Sequence, residues 1–320
     1  MTGPLRVVDL ADDPDDADPS TVGEVIVAVG DPAAPNAQYW LQAATFTLLP
    51  GDIGDRRAIA VDSVDAAVAE LAERVARWPQ AAAVCDDVLR ALDPQAPARS
   101  GVITESLAYS TLQAGPEFAR WLAERGPARV PESADPVLVE RTGNTVVIRF
   151  NRPQRHNAFS TPARAALLDG LRVVLLDPDV TELIFTGNGP SFCSGGDLGE
   201  FGTFADPSSA HLARTRHSPA LALDAVTARL GTAARAEIHG RVLGSGLEMA
   251  CYCGTVVCDP AAVLGLPELS LGLLPGAGGT VSITRRIGRW RTGYLVLSGH
   301  TIDATTALAW GLVDELSERR

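Results

Sequence analysis

The chain has 320 residues, of which 46% are apolar, and a formal net charge of −12. This composition supplies a full hydrophobic core and excludes a chain that is disordered throughout. The acidic balance disfavours nucleic acid or an anionic membrane as a partner, because both require a basic face.

All 27 basic residues are arginine. The absence of lysine excludes a Walker A phosphate loop, Schiff-base catalysis and pyridoxal phosphate chemistry. No apolar run approaches the roughly 20 residues of a membrane span, and the first residues lack a secretory signal. The five cysteines form no disulfide framework and no metal-ligand spacing. We therefore expect a cytoplasmic protein with no metal site and no membrane partner.

Residues 1–130 are predicted to form a small, mostly helical module with one or two strands. The acidic stretch 12–19 contains prolines and is typical of a solvated loop. Ser63 is expected to cap a helix. The predicted strands are 22–29 and 43–49, and the other predicted helices are 81–92 and 104–125.

A second domain is predicted at residues 137–320. Residues 131–136 before it are predicted to be a linker, because they contain prolines and lack apolar periodicity. Strands are expected at 137–140, 145–150 and 181–186, with a helix at 163–176. Alternation of strands and helices indicates an α/β domain.

Three loops of this second domain share a form, in which a strand-like run is followed by a glycine-rich bend and a helix start. They span residues 191–198, 239–248 and 274–280. Glycine allows close backbone approach, and a helix N-terminus presents unpaired N–H donors, so two facing bends could hold an oxyanion. Each loop taken alone is more often a simple tight turn.

Two other interpretations of the middle loop fail on spacing. The pair Gly244 and Gly246 suggests a dinucleotide fingerprint, but Met249 stands at its third glycine position. Ser245 has glycines directly on both sides, whereas the hydrolase nucleophile elbow places them two residues away.

Glu248 and Glu268 have apolar sequence neighbours. A carboxylate in such surroundings is costly unless it is paired or functional, and desolvation raises its pKa toward the range useful for proton transfer. For Glu268, capping of a helix start is an equally plain alternative.

The order of these motifs resembles the crotonase superfamily over roughly residues 137–316. The matching pieces are Asn-Arg-Pro at 151–153, His-Asn-Ala at 156–158, the loop 192–198, the loop 240–248, and the stretch 267–280. The resemblance implies a crotonase-like ββα spiral domain behind the smaller helical module.

The resemblance also implies catalytic roles. The N–H groups of Gly196 and Ser245 would form an oxyanion hole for a thioester carbonyl. Glu268 would supply a proton to the α carbon, and Glu248 would help to activate water. The two glutamates stand twenty residues apart, as in the hydratases of the family.

Coenzyme A would be bound as part of the substrate, with no other cofactor. The implied contacts are Ser194, His156, Asp197 and Gly276, with Arg155 as the preferred phosphate contact. Arg152 flanks the same motif. The arginine-rich run 284–291 is expected to be a solvated helix face.

Two departures from the family pattern stand out. Ser245 replaces a glycine and takes space beside the substrate. The chain ends soon after residues 311–313, so the C-terminal helical segment that covers the site in typical hydratases is expected to be absent. The N-terminal module is expected to cover the site instead. A homo-oligomer, a trimer or hexamer as in the family, is expected.

The leading hypothesis is an enoyl-CoA hydratase-like lyase acting on a 2,3-unsaturated acyl-CoA. An isomerase or a cofactor-independent arylacetyl-CoA dioxygenase would use the same oxyanion hole. A non-catalytic acyl-CoA-binding protein is the alternative from a different class.

Overall fold

The computed structural model describes residues 4–14, 23–130, 134–203 and 206–318. Most of the predicted acidic loop, the start of the predicted strand 22–29 and residues 131–133 of the predicted linker lie outside the described residues. Within the described ranges, no helix is both long enough and apolar enough to cross a bilayer.

The N-terminal module contains a four-stranded parallel sheet in which the strands follow chain order. The prediction of one or two strands was therefore wrong. The two missed strands lie at the sheet edges, and one of them has only three residues, so neither has a long apolar run. The strands are β1 (Leu5–Asp9), β2 (Val25–Val29), β3 (Phe46–Leu49) and β4 (Ala58–Ala60).

The N-terminal module also has five helices in its described residues, of which the first three pack on this sheet. Ser63 caps the second of them by accepting the N–H of Ala66, as predicted. The single helix expected at 104–125 is two helices, because Pro116 holds Gly115 in an extended conformation and starts a new helix. The helices are α1 (Ala37–Ala43), α2 (Val64–Arg77), α3 (Pro79–Ala91), α4 (Ala98–Gln113) and α5 (Pro116–Arg125).

The strands of the second half are β5 (Val137–Thr142), β6 (Thr145–Phe150), β7 (Glu182–Gly187), β8 (Ala234–Ile238), β9 (Arg241–Leu243), β10 (Thr255–Cys258), β11 (Val263–Gly265), β12 (Ile302–Asp303) and β13 (Glu315–Leu316). They form a six-stranded sheet in the order β13-β10-β8-β7-β6-β5 and a three-stranded sheet in the order β12-β11-β9. Strands β5 and β6 form an antiparallel hairpin around Gly143, and the other neighbouring pairs of the larger sheet are parallel.

Helices connect the parallel strands, as the alternating pattern predicted. The longest changes direction at Gly288, whose φ of +80° departs from helical geometry. They are α6 (Thr161–Leu176), α7 (Pro207–Arg216), α8 (Pro219–Leu230), α9 (Ser245–Ala250), α10 (Gly279–Ser298) and α11 (Ala304–Trp310).

The two halves share one hydrophobic core, which extends from Phe46 in β3 to Phe185 in β7. Helix α10 connects them further, because Arg289 donates to the carbonyl of Ala44 and Arg285 donates to that of Ala96. The prediction of a solvated face for residues 284–291 was therefore wrong. Arg285 and Arg289 bond to the N-terminal module, and Arg286 and Arg291 bond to carbonyl groups of the second half.

Candidate active site

A cavity of about 290 Å³ lies where the glycine-rich loops of the second half meet helix α4. It brings together Gly196, Ser245, Glu248 and Glu268, the four residues predicted to be catalytic. Its wall also includes Val102, Glu105, Ser106, Tyr109 and Gln113 of α4, and Arg164, Ser194, Asp197, Glu200, Phe201, Arg214, Gly276 and Ala277.

Two of the loops touch directly at the residues that precede the predicted amide donors. A Cβ atom on Gly244 would lie 3.5 Å from the Cα of Gly195. The loops are also joined by a hydrogen bond from the N–H of Leu243 to the carbonyl of Cys193. In the described part of the chain, no acceptor is recorded for the N–H of Gly196 or Ser245. Both amides are therefore available at the cavity wall.

Glu248 is almost fully buried on α9, with a relative exposure of 1%. Its Oε2 atom accepts the N–H groups of Ala277 and Gly279 at 2.7 and 2.8 Å. Burial raises the pKa of Glu248, and these backbone donors oppose that rise. The side chain is thus fixed at one oxygen and biased toward the protonated form relative to an ordinary glutamate.

Glu268 begins a short 3₁₀ helix, but its side chain does not cap it. Its Oε2 atom is buried and has no hydrogen-bond partner among the described residues. Burial is the main cause that raises the pKa of Glu268 well above its usual range, and the nearby charge of Glu248 raises it further. A carboxyl group at a cavity wall with one oxygen unpartnered, and with a bias toward its protonated form, is suited to donate a proton to a ligand.

A third buried glutamate of the cavity wall, Glu105, comes from helix α4 of the N-terminal module. It accepts the N–H of Gly278 at 2.7 Å and the N–H of Thr280 at 2.9 Å. Four consecutive amides, from Ala277 to Thr280, therefore alternate between Glu248 and Glu105. Burial, and then the charge of Glu248, raise the pKa of Glu105.

Sequence reasoning did not identify Glu105 as a site residue. It lies inside the predicted helix 104–125, far from any motif, and its only local signal is its place among largely uncharged neighbours. Tyr109, one helical turn further along α4, was missed for the same reason. Its ring packs on Gly276, where a Cβ atom would lie 2.4 Å from Tyr109 Cε2.

The predicted coenzyme A contacts are only partly at the cavity. Ser194, Asp197 and Gly276 line it, whereas Arg155 and His156 are not part of its wall. His156 Nδ1 lies 2.9 Å from the hydroxyl oxygen of Ser191.

The carboxylate of Asp197 is fully buried between two guanidinium groups. Arg152 lies 2.9 Å and Arg155 lies 2.8 Å from its oxygens. The side chains of Asp197 and Arg152 are therefore engaged with each other, and a contact of Asp197 with coenzyme A stays a prediction. Both hold the loop in place, because a buried charge needs a partner, and Arg155 shares its charge with Asp197.

Comparison with known proteins agrees with this geometry. The family model described as enoyl-CoA hydratase/isomerase matches residues 140–319, more than half of the chain. The Mycobacterium tuberculosis protein named probable enoyl-CoA hydratase echA8 is 34% identical over 182 residues, which cover 56% of this chain and 68% of that protein. The 2,3-dehydroadipyl-CoA hydratase of Escherichia coli is 32% identical over 180 residues, with the same coverage of 56% and 68%.

Solved structures give the same result for the fold. The enoyl-CoA hydratase of Thermoplasma volcanium is 31% identical with a TM-score of 0.50, and the match covers 58% of this chain and 73% of that one. Pseudomonas aeruginosa DspI is 29% identical with a TM-score of 0.51, covering 60% and 77%. The chain therefore belongs to the enoyl-CoA hydratase/isomerase family of the crotonase superfamily and is an enzyme of that family. The crotonase-like α/β fold is confirmed for the second half.

Proposed function

We propose that the protein adds water reversibly to a 2,3-unsaturated acyl-CoA. The observation that carries this proposal is the presence of two buried glutamates, Glu248 and Glu268, in the cavity wall that also contains the amides of Gly196 and Ser245. Hydration needs both a proton donor and a base for water. Retention of two carboxyl groups supports it over binding without catalysis.

In this mechanism the thioester oxygen accepts the N–H groups of Gly196 and Ser245. As the oxygen of water bonds to the β carbon, electrons move through the α carbon to the thioester oxygen. Fixed amide donors stabilise this enolate, and each is worth about 10²- to 10³-fold in rate. Glu248 accepts the proton that the water loses.

Glu268 then delivers its proton to the α carbon, so that one molecule of water is added in total. Its raised pKa supports this role, because the carboxyl group keeps its proton at a pH at which an ordinary glutamate has lost it. Transfer of this proton from Glu248 to Glu268, directly or through solvent, restores the starting state.

Loss of the absorbance of the conjugated enoyl thioester tests this function directly. The purified protein should consume 2-enoyl-CoA and form the 3-hydroxyacyl-CoA without oxygen uptake. Migration of the double bond without incorporation of water, or oxygen consumption with an arylacetyl-CoA, would replace hydration by one of the other reactions of the fold.

A further inference from the structure

Among the described residues, two arginines of the cavity wall have no carboxylate within hydrogen-bond distance. The guanidinium group of Arg164, on α6, makes no hydrogen bond or ion pair there. Arg214, on α7, bonds only neutral groups of α4 in the same part of the chain: the hydroxyl of Ser106 at 3.1 Å, the side-chain oxygen of Gln113 at 2.9 Å, the Ser106 carbonyl and the Ser110 hydroxyl, which leave one of its five N–H groups free. A half-buried charge without a counterion is costly.

The two positive charges also lie within electrostatic range of each other. Burial is the largest cause that lowers the pKa of Arg214, and the charge of Arg164 lowers it further. Burial likewise lowers the pKa of Arg164. Both groups stay charged at neutral pH, because an arginine pKa begins far above it. An anion bound between them would relieve both the repulsion and the desolvation.

The carboxyl groups around them offset these charges only in part. Glu200 acts on Arg164 through space without a direct ion pair, and its Oε2 atom accepts the N–H and the hydroxyl of Thr161 at 2.8 and 2.9 Å, so its single charge balances at most one of the two arginines. Glu105 acts on Arg214 but is held by the amides of α10, and its raised pKa favours the neutral form. This side of the cavity therefore has an excess of positive charge.

Tyr109 connects the arginines to the acyl side of the proposed reaction site. The guanidinium carbon of Arg214 lies 4.6 Å from the centre of its ring. The ring itself packs on Gly276, and the next residue, Ala277, donates its N–H to Glu248. The arginines thus lie near the carboxyl groups that would act on the α and β carbons.

We propose that Arg164 and Arg214 bind a carboxylate at the far end of the acyl chain, so that the substrate class is the coenzyme A thioester of an unsaturated dicarboxylic acid. The inference rests on the proposed function for the position of the thioester. The guanidinium group of Arg164 can meet a carboxylate with paired hydrogen bonds, and Arg214 adds its charge and its one free N–H, which gives both affinity and orientation.

Binding of saturated thioesters tests this inference without any turnover. Titration calorimetry would compare the coenzyme A monothioester of a six-carbon dicarboxylic acid with hexanoyl-CoA, and neither can be hydrated. We expect the carboxylated thioester to bind about tenfold more tightly, as for an ion pair that is partly removed from water. Equal affinity for the two thioesters in the unmodified protein would overturn the proposal.

The variant Arg164→Gln should lose this preference while it keeps its affinity for hexanoyl-CoA. The fold should persist, because the guanidinium group of Arg164 has no hydrogen bond to any described residue, and Arg164→Lys should restore part of the preference. Arg172→Gln is the matched control, because Arg172 lies on the same helix with a side chain that is 70% exposed. Equal weakening of both thioesters by Arg164→Gln would contradict the inference.

The phosphates of coenzyme A are the other source of negative charge. Pantetheine thioesters of the same two acids lack these phosphates, and the preference for the carboxylated acid should persist with them. If Arg164→Gln weakens both coenzyme A thioesters but neither pantetheine thioester, Arg164 binds a phosphate and the proposal is wrong. Failure of hydration with this binding preference intact would reject only the proposed function.

Discussion

The cavity has two walls that are built in different ways. The loop wall, which we define as residues 194–198 and 244–248 together with Glu268, presents backbone amides and two glutamates, and glycines allow its two loop segments to touch. The helix wall, α4, presents side chains, among them Glu105 and Tyr109. In the proposed mechanism, the loop wall acts on the thioester oxygen and the adjacent carbons that every 2-enoyl-CoA shares, whereas the helix wall would contact the variable acyl group. Changes to the loop wall should therefore lower the turnover of all thioesters. Changes to the helix wall should alter the rate less.

The largest effect is expected for Glu268→Gln, which removes the proposed acid of the loop wall. Turnover should fall about 10²- to 10⁴-fold, the usual contribution of a positioned acid or base. Binding of hexanoyl-CoA should change little, because the amide has nearly the shape of the acid. Initial rates and calorimetry would measure the two quantities.

Glu237→Gln is the control for that variant, since its carboxylate is 44% exposed and pairs with Arg235 outside the cavity. It should keep full activity. Unchanged turnover in Glu268→Gln would remove Glu268 from the mechanism.

Gly244→Ala should have the next largest effect, because the new methyl group would collide with the carboxyl group of Glu268. The variant therefore tests the contact between the loop and the proposed acid. A Cβ atom at Gly244 would lie 2.4 Å from Glu268 Oε1, and the residue has a φ of +49°. We expect turnover to fall about tenfold or more through displacement of the acid, and stability to fall by about 1–3 kcal/mol through backbone strain. Urea unfolding and initial rates would separate these two losses.

Gly231→Ala is a matched control for strain alone. Gly231 has a φ of 58° and a ψ of −132°, close to the 49° and −126° of Gly244, and its Cβ position is open. It should lose stability but keep its activity. Equal loss of activity in the two variants would mean that the contact with Glu268 has no specific role.

The difference between the walls also explains what the sequence could predict. The loop wall depends on short motifs, so Gly196, Ser245, Glu248 and Glu268 could be assigned to one site before any coordinates. The helix wall depends on the packing of α4 against α10, and no local pattern places Glu105 next to Glu248. Burial of Asp197 with two arginines was missed because pairing across the fold leaves no signature in spacing.

The smallest expected effect on rate is that of Glu105→Gln, which tests whether the helix wall tunes the acids of the loop wall. The charge of Glu105 is one of the causes that raise the pKa of Glu268, after burial and the charge of Glu248. Its removal should lower that pKa, so the protonated donor is lost at a lower pH. We expect the alkaline limb of the pH–rate profile to move to lower pH, with a loss of about tenfold or less in the maximal rate.

The control for Glu105→Gln is Glu117→Gln, because Glu117 is also a buried glutamate that accepts two helix amides, those of Gln80 and Ala81 at 2.8 and 3.0 Å. Both variants should lose some stability, since each leaves helix N–H groups poorly matched. Only Glu105→Gln should move the pH profile. If both variants leave the profile in place, Glu105 only anchors α4 to α10, and the influence of the helix wall is limited to the shape of the acyl pocket.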